Sequence, residues 1–233
     1  IGVPKTIDND IGGTEFTFGF DTAVNTATES IDKLHSTAEA HHRVMVLELM
    51  GRDAGFIALH AGIAGGTDVI LIPEIPFENE VVVAKVRQRV ELGMNFSIIA
   101  VSEGAKPKGG EQVFSRVGDP IYVPRLGGIG HRVGEYIESN GFETRVTVLG
   151  HLQRGGSPTP FDRWLATRFG AAAVRLAGQG KYDRMVALHA GGVVDVSLEE
   201  ALAIAKRVDP NSDSVITARG MGISFGDRAM GIL

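Results

Sequence analysis

The sequence predicts an α/β protein built on a parallel sheet with helices on both faces. Three observations carry this. Short β-branched and apolar runs alternate with stretches of helical period along most of the chain. Glycine is abundant, 31 of 233 residues, and much of it falls at the ends of the apolar runs, where turns form. Polar motifs stand directly after several of those runs, at the carboxyl ends of strands, where parallel sheets bind their ligands.

Ile1-Gly2-Val3 reads as the tail of a strand, so the chain is expected to lack an N-terminal half-domain. Ala23, Ala27, Ile31 and Leu34 recur at helical spacing and predict a helix from about Phe20 to Ala40. Val44 to Leu49 is a buried strand, Met50 to Gly55 the turn after it, and a helix follows to about Gly65. Val69 to Ile72 is a strand, Glu78 to Leu92 a helix, and Phe96 to Val101 a strand. Lys106 to Arg125 is irregular, broken by Gly109-Gly110, Gly118, Pro120 and Pro124, and reads as an insertion, a loop or a lid. A helix from Leu126 to Ser139 precedes a strand from Arg145 to Leu149. Pro160 to Leu176 forms a long helix with Phe161, Leu165, Phe169 and Val174 facing inward. Two short strands follow, Met185 to Leu188 and Val193 to Val196. The last predicted helix, Ser197 to Lys206, opens on a capping box of Ser197 and Glu200.

Composition narrows the function. A net charge of -5 speaks against a general nucleic-acid binder, which needs excess Lys and Arg. No apolar run approaches the ~20 residues that span a bilayer, and no signal peptide is visible. With no cysteine there is no thiolate chemistry, and a cytoplasmic location fits. The histidines lack zinc-ligand spacing, and neither a Gly-x-x-x-x-Gly-Lys-Ser/Thr loop nor a Gly-x-Gly-x-x-Gly fingerprint occurs.

The chemistry gathers at a few short stretches. In Pro4-Lys5-Thr6-Ile7-Asp8-Asn9-Asp10, Asp8 and Asp10 project to one side of an extended loop. Such a pair can divide labour between accepting a proton and holding a hard cation, or can simply build an Asx turn. Arg52, just before a helix start, makes an anion site with the helix N-terminus, or pairs with Asp53 or Glu48 at the surface. His151 and Arg154 bracket a turn running into Gly155-Gly156, a combination suited to a phosphate monoester. Glu103 at a strand end accepts from sugar hydroxyls or merely ends the strand. Arg43 and Arg145, taken singly, read as solvated charges at strand starts.

Pro4 to Asp10, His42-Arg43-Val44 through Met50-Gly51-Arg52, and Leu149 through Pro158 together resemble the phosphofructokinase family, in that order and across Pro4 to about Gly192. The resemblance implies two intertwined α/β lobes, the N-terminal one incomplete here. Residues 1–19 end the donor-binding lobe, 20–153 form the sugar-phosphate lobe, 154–192 return to the donor lobe, and 193–233 are a C-terminal segment. It implies transfer of a phosphoryl group from ATP or pyrophosphate to the 1-hydroxyl of fructose 6-phosphate. A non-catalytic sugar-phosphate-binding or regulatory subunit of the same fold is the alternative. By position, Asp8 is the base, with Thr6 and Arg52 around the transferring group and Asp10 on the Mg2+ side. Met50, Gly51 and Glu103 match the fructose site, and His151 and Arg154 the 6-phosphate ligands. Arg43 and Arg145 match arginines that enter a neighbouring subunit's site, implying a homodimer or homotetramer.

Beside a cation and an arginine, the Asp8 carboxyl is expected to be held down and ionised at pH 7. Lys5 replaces the glycine of the simplest ATP-using relatives and looks like the pyrophosphate-using and mixed groups, which leaves the donor open. His35, Asp68 and Met94 stand where allosteric members carry charged effector ligands, so effector control is expected to be weak or absent. Poor turnover is expected of the 233 residues by themselves.

Overall fold

The computed structural model describes residues 1–116 and 125–228. Lys5–Thr6 (β1) pairs in parallel with Phe18–Gly19 (β2), and Gly19, at φ 104°, turns the chain into the helix Phe20–His41 (α1). Val44–Leu49 (β3) and the helix Phe56–Ala64 (α2) follow, then Val69–Leu71 (β4), Asn79–Glu91 (α3) and Ser97–Ser102 (β5). Phe114–Arg116 (β6) pairs antiparallel with Arg125–Leu126 (β7). The helix Ile129–Ser139 (α4) leads into Thr144–Val148 (β8) and a 3-10 turn, Gly150–Arg154. The long helix Pro160–Gly178 (α5), the strands Arg184–His189 (β9) and Gly192–Ser197 (β10), and two short helices, Leu198–Ala203 (α6) and Asp213–Gly220 (α7), complete the order.

Four strands form one parallel sheet in the order β4-β5-β3-β8. Side chains alternate between its faces. Met45, Leu47 and Leu49 of β3 join Ala23, Ala27 and Ile31 of α1 and Ile57 and Ala58 of α2 in one cluster. Val44 and Val46 join Val82, Val83 and Val86 of α3 and Val133 and Ile137 of α4 in another. With both faces covered, β3 and β5 are buried at every position, which is why they read as continuous apolar runs.

A separate core lies between α5 and the β9–β10 hairpin, where Leu165, Phe169 and Leu176 pack on Val186 and Leu188. The hairpin closes through Ala190-Gly191, both at positive φ (47° and 76°), the conformation a two-residue hairpin turn requires. The opening residues lie beside β9: Gly2 donates to the Arg184 carbonyl at 2.8 Å and accepts from Val186 N–H at 3.0 Å.

The predicted elements form with small shifts at their ends, and four readings change. Val174 is 74% exposed; Ala172 and Leu176 take the inward positions, because the 3.6-residue period from Phe169 turns Val174 to solvent. The Ser197–Glu200 capping box forms, but its helix stops at Ala203, where Ile204 is extended. The helix Asp213–Gly220 was not anticipated, its apolar period being short. Of the 106–125 segment, the described part is a braced surface excursion: Lys108 N–H donates to the Phe77 carbonyl at 2.7 Å, and Gln112 Nε2 to Asp53 Oδ1 at 2.9 Å. Residues 117–124 of that segment lie outside the described residues.

Candidate active site

Three parallel strands deliver their turns to one edge of the sheet. β3 ends in Met50-Gly51-Arg52, β5 in Glu103-Gly104, and β8 in the turn Gly150–Arg154. The loop after β1 meets them from the other part of the chain and carries Asp8 and Asp10.

That loop is braced. Asp8 N–H donates to Thr6 Oγ1 at 3.1 Å, while Asn9, at φ 54°, accepts from Thr17 N–H through Oδ1 at 3.0 Å. Thr17 Oγ1 donates to the Thr6 carbonyl at 2.8 Å. Lys206 closes the loop from below: its backbone N–H donates to the Asp10 carbonyl at 2.7 Å, and its Nζ to the carbonyls of Thr14 at 3.0 Å and Glu15 at 2.8 Å. Burial pulls the Lys206 ammonium down to about 8, against the attraction of Asp10 and Glu15.

Asp8 is 6% exposed and its Oδ1 accepts no hydrogen bond from the described residues. Burial, reinforced by the charge of Asp10, pushes its carboxyl above the ordinary value; Arg154 and Arg52 pull the other way. The expectation of a depressed Asp8 is for a carboxyl with a bound cation beside it. In the chain by itself, desolvation outweighs both arginines. The same field reaches Glu103. Burial raises its carboxyl while the Arg52 and Gly51 amides lower it, and Asp8 and Glu48 add to the rise. Asp8, Asp10, Arg52, Arg154 and Glu103 are thus one electrostatic cluster assembled from four separate stretches.

The Met50–Arg52 turn is strained to fit. Gly51 sits at φ 145° and Arg52 at φ 50°, and Ala54 N–H closes onto the Gly51 carbonyl at 2.9 Å. Arg52 N–H donates to Glu103 Oε1 at 3.2 Å. A Cβ on Gly104 would lie 1.7 Å from the Arg52 carbonyl oxygen, so only glycine admits this approach.

Arg52 does not use a helix end. Gly55 N–H, at the start of α2, is taken by Glu74 at 3.0 Å, which puts a negative charge at that terminus. Nor does Arg52 pair with Asp53 or Glu48. Asp53 receives Gln112 and lies 3.8 Å from Arg207, and the buried Glu48 carboxylate accepts the amides of Gly128 (3.0 Å) and Gly130 (2.7 Å). Arg52 is exposed, and it has no ion-pair partner among the described residues.

His151 and Arg154 are exposed on the 3-10 turn, and Thr6 is half-buried behind an exposed Lys5. Arg43 and Arg145 do not join the cluster. They lie at the opposite, amino ends of β3 and β8, where both bond the Glu143 carboxylate, at 2.7 Å and 2.9 Å. Lys206, Asn9, Thr17 and Gln153 were not singled out from sequence. Asn9 and Gln153 lie inside the Pro4–Asp10 and Leu149–Pro158 motifs, whereas Thr17 and Lys206 lie in neither.

Asp10 lies close enough to Asp8 for its charge to raise the Asp8 carboxyl, and a pair of carboxylates is the kind of donor set that a magnesium ion uses together with substrate phosphates and water rather than a closed protein cage. No set of three or more His, Cys, Asp or Glu side chains able to hold a metal occurs among the described residues.

The family model described as Phosphofructokinase matches residues 1–177. An ATP-dependent 6-phosphofructokinase of Chloroflexus aurantiacus is 60% identical over 228 residues, 97% of this chain and 62% of that protein. A pyrophosphate–fructose 6-phosphate 1-phosphotransferase of Amycolatopsis methanolica is 54% identical over 213 residues, 90% of this chain and 62% of that protein. Among solved structures, a pyrophosphate-dependent phosphofructokinase from Marinobacter aquaeolei superposes with a TM-score of 0.78 at 25% identity, covering 100% of this chain and 62% of that one. The phosphofructokinase of Saccharomyces cerevisiae gives 0.75 at 29% identity, covering 94% and 27%. The chain therefore spans about 62% of the length of the curated relatives it matches. With that match across three quarters of its residues and a shared fold, the chain belongs to the phosphofructokinase family.

Proposed function

We propose that this protein is a 6-phosphofructokinase, moving a phosphoryl group from ATP or pyrophosphate to the 1-hydroxyl of fructose 6-phosphate. The observation that carries the reading is the buried Asp8 carboxylate with an unused Oδ1, set between the charges of Arg52 and Arg154. A carboxylate desolvated in this way is a stronger base than one in water, and an oxygen with no internal partner is free to take the sugar hydroxyl proton.

The remaining roles follow the charge. Arg52, exposed and without an ion-pair partner among the described residues, offsets charge on the transferring phosphoryl group, with Thr6 beside it. Glu103 and the Met50–Gly51 backbone hold the fructose ring, and His151 and Arg154 its 6-phosphate. Lys5 faces the donor. Mg2+, held by Asp10 and the donor's phosphates, neutralises phosphate charge when bound. Arg43 and Arg145, at the far end of the sheet, serve the site of a second copy in a homodimer or homotetramer. The lobes divide at 1–19, 20–153, 154–192 and 193–233. The proposed setting is the cytoplasm; among the described residues no helix is long and apolar enough to cross a membrane.

The test is an assay of the full-length protein with fructose 6-phosphate and Mg2+, giving ATP and pyrophosphate in parallel, beside an Asp8→Ser variant. The wild type forms fructose 1,6-bisphosphate with at least one donor. Asp8→Ser loses about 10²–10⁴-fold in turnover while still binding fructose 6-phosphate. Product from neither donor, or unchanged turnover in the variant, refutes the reading. Product with pyrophosphate alone assigns Lys5 to a donor pocket closed to nucleotide.

A further inference from the structure

Gln153 is 1% exposed within a turn whose neighbours His151, Leu152, Arg154 and Gly155 are all exposed. Its Oε1 accepts from Met50 N–H at 2.7 Å. Because Met50 N–H is a donor, this bond fixes which end of the amide is oxygen. Nε2 is left buried with no hydrogen-bond partner among the described residues.

The place of that bond matters. β3 and β8 run side by side up to Leu149 N–H, which donates to the Glu48 carbonyl at 3.0 Å. Beyond it the two chains part, one into Met50–Arg52 and the other into Gly150–Arg154. Gln153 reaches across that gap. The two turns it joins carry Arg52 and Arg154, the two cations acting on the Asp8 carboxyl. A buried amide that leaves its own donors unpaired costs stability. For filling space, an apolar side chain of the same size would serve better.

We infer that Gln153 is a positioning residue for the proposed phosphoryl transfer. Its side chain sets the separation between the turn that holds the sugar 6-phosphate and the turn that carries Met50, Gly51 and Arg52. The inference rests on the function proposed above. It assigns the distance between the two ends of the sugar phosphate to one side chain that touches neither end. Reactions of this kind are sensitive to such spacing, since a displacement of about 1 Å costs on the order of 10²-fold in rate.

Two variants of the full-length protein test it. Gln153→Met keeps the length and removes the acceptor. Gln153→Glu keeps an acceptor opposite Met50 N–H. Steady-state kcat and KM are measured separately for fructose 6-phosphate and for the donor, with thermal unfolding alongside. For Gln153→Met we expect kcat/KM for fructose 6-phosphate to fall at least about tenfold, with the donor KM within about twofold of wild type. Gln153→Glu should retain more of that kcat/KM than Gln153→Met. Unchanged kinetics in Gln153→Met overturns the inference. So does an equal loss toward both substrates accompanied by lower thermal stability, which is the mark of a purely structural residue. If Gln153→Met does not fold, Gln153→Glu decides: a loss within about tenfold supports the role and a larger one rejects it. A wild type without turnover rejects the proposed function itself and this inference with it, an outcome distinct from an active wild type and an indifferent variant.

Discussion

Asp8 is an acid in a turn-forming sequence until burial strips its water and leaves Oδ1 without a partner. Gly104 looks like a strand-ending glycine, yet a Cβ there would lie 1.7 Å from the Arg52 carbonyl oxygen. Gly104→Ala is expected to destabilise the chain by roughly 1–3 kcal/mol, as strain at a special backbone site does, and to raise the KM for fructose 6-phosphate. Denaturant unfolding and kinetics of the same variant check both. His60 makes a different point. Its ring packs edge-on against Phe20 at 5.1 Å, and burial, aided by Lys206, lowers its pKa below 6.5. The unfolded chain therefore binds a proton at pH values where the folded chain does not. The stability this histidine contributes is fully present above about pH 6.5 and is lost as pH falls below it. Thermal unfolding between pH 7.5 and 5 should show a smaller loss in His60→Leu than in wild type.

Among the elements, α5 is the clearest measure of what periodicity can and cannot give. Its phase put Leu165 and Phe169 inward, and both are fully buried against β9. Val174 is out of phase: five residues past Phe169 the helix has turned about 140° from the inward face, while Ala172 and Leu176 lie on it. Phe169→Ala should cost about 3–5 kcal/mol and Val174→Ala well under 1 kcal/mol, a contrast that paired denaturant titrations resolve. β3 and β5 are legible because both faces are covered, which makes all of their positions buried and most of them apolar, Glu48, Ser97 and Ser102 excepted. α7 was not legible: it buries only Val215 and Ala218, too short a stripe to stand out. The end of α6 was missed for a related reason. Its cap is encoded within four residues, whereas its stop depends on Ile204 turning extended to let Lys206 reach the loop beneath Asp10.

At the scale of the molecule, two of the three positions that the resemblance matches to effector ligands of allosteric members, His35 and Asp68, are engaged in the chain's own bonds. His35 Nε2 lies 2.7 Å from the Gly65 carbonyl. Asp68 pairs with Arg89 at 2.7 Å and accepts from Ile98 N–H at 2.9 Å. Met94 is half exposed and offers no charge. Neither a nucleoside diphosphate nor phosphoenolpyruvate is therefore expected to move the fructose 6-phosphate saturation curve of the full-length protein; a shift with either compound contradicts this. The sequence by itself determined the alternation of strands and helices, the parallel sheet, and the turns that hold the polar motifs, because those depend on periodicity and on bonds between near neighbours. Tertiary structure alone decided the state of each group in those turns. In the chain by itself Asp8 is raised, Arg52 stands free of the α2 terminus that Glu74 occupies, and Arg43 and Arg145 face away from the cluster. The physical reason is that desolvation and charge are set by whatever packs alongside. Here that comes from far along the chain: 103 residues separate Gln153 from Met50, and 192 separate Lys206 from Thr14.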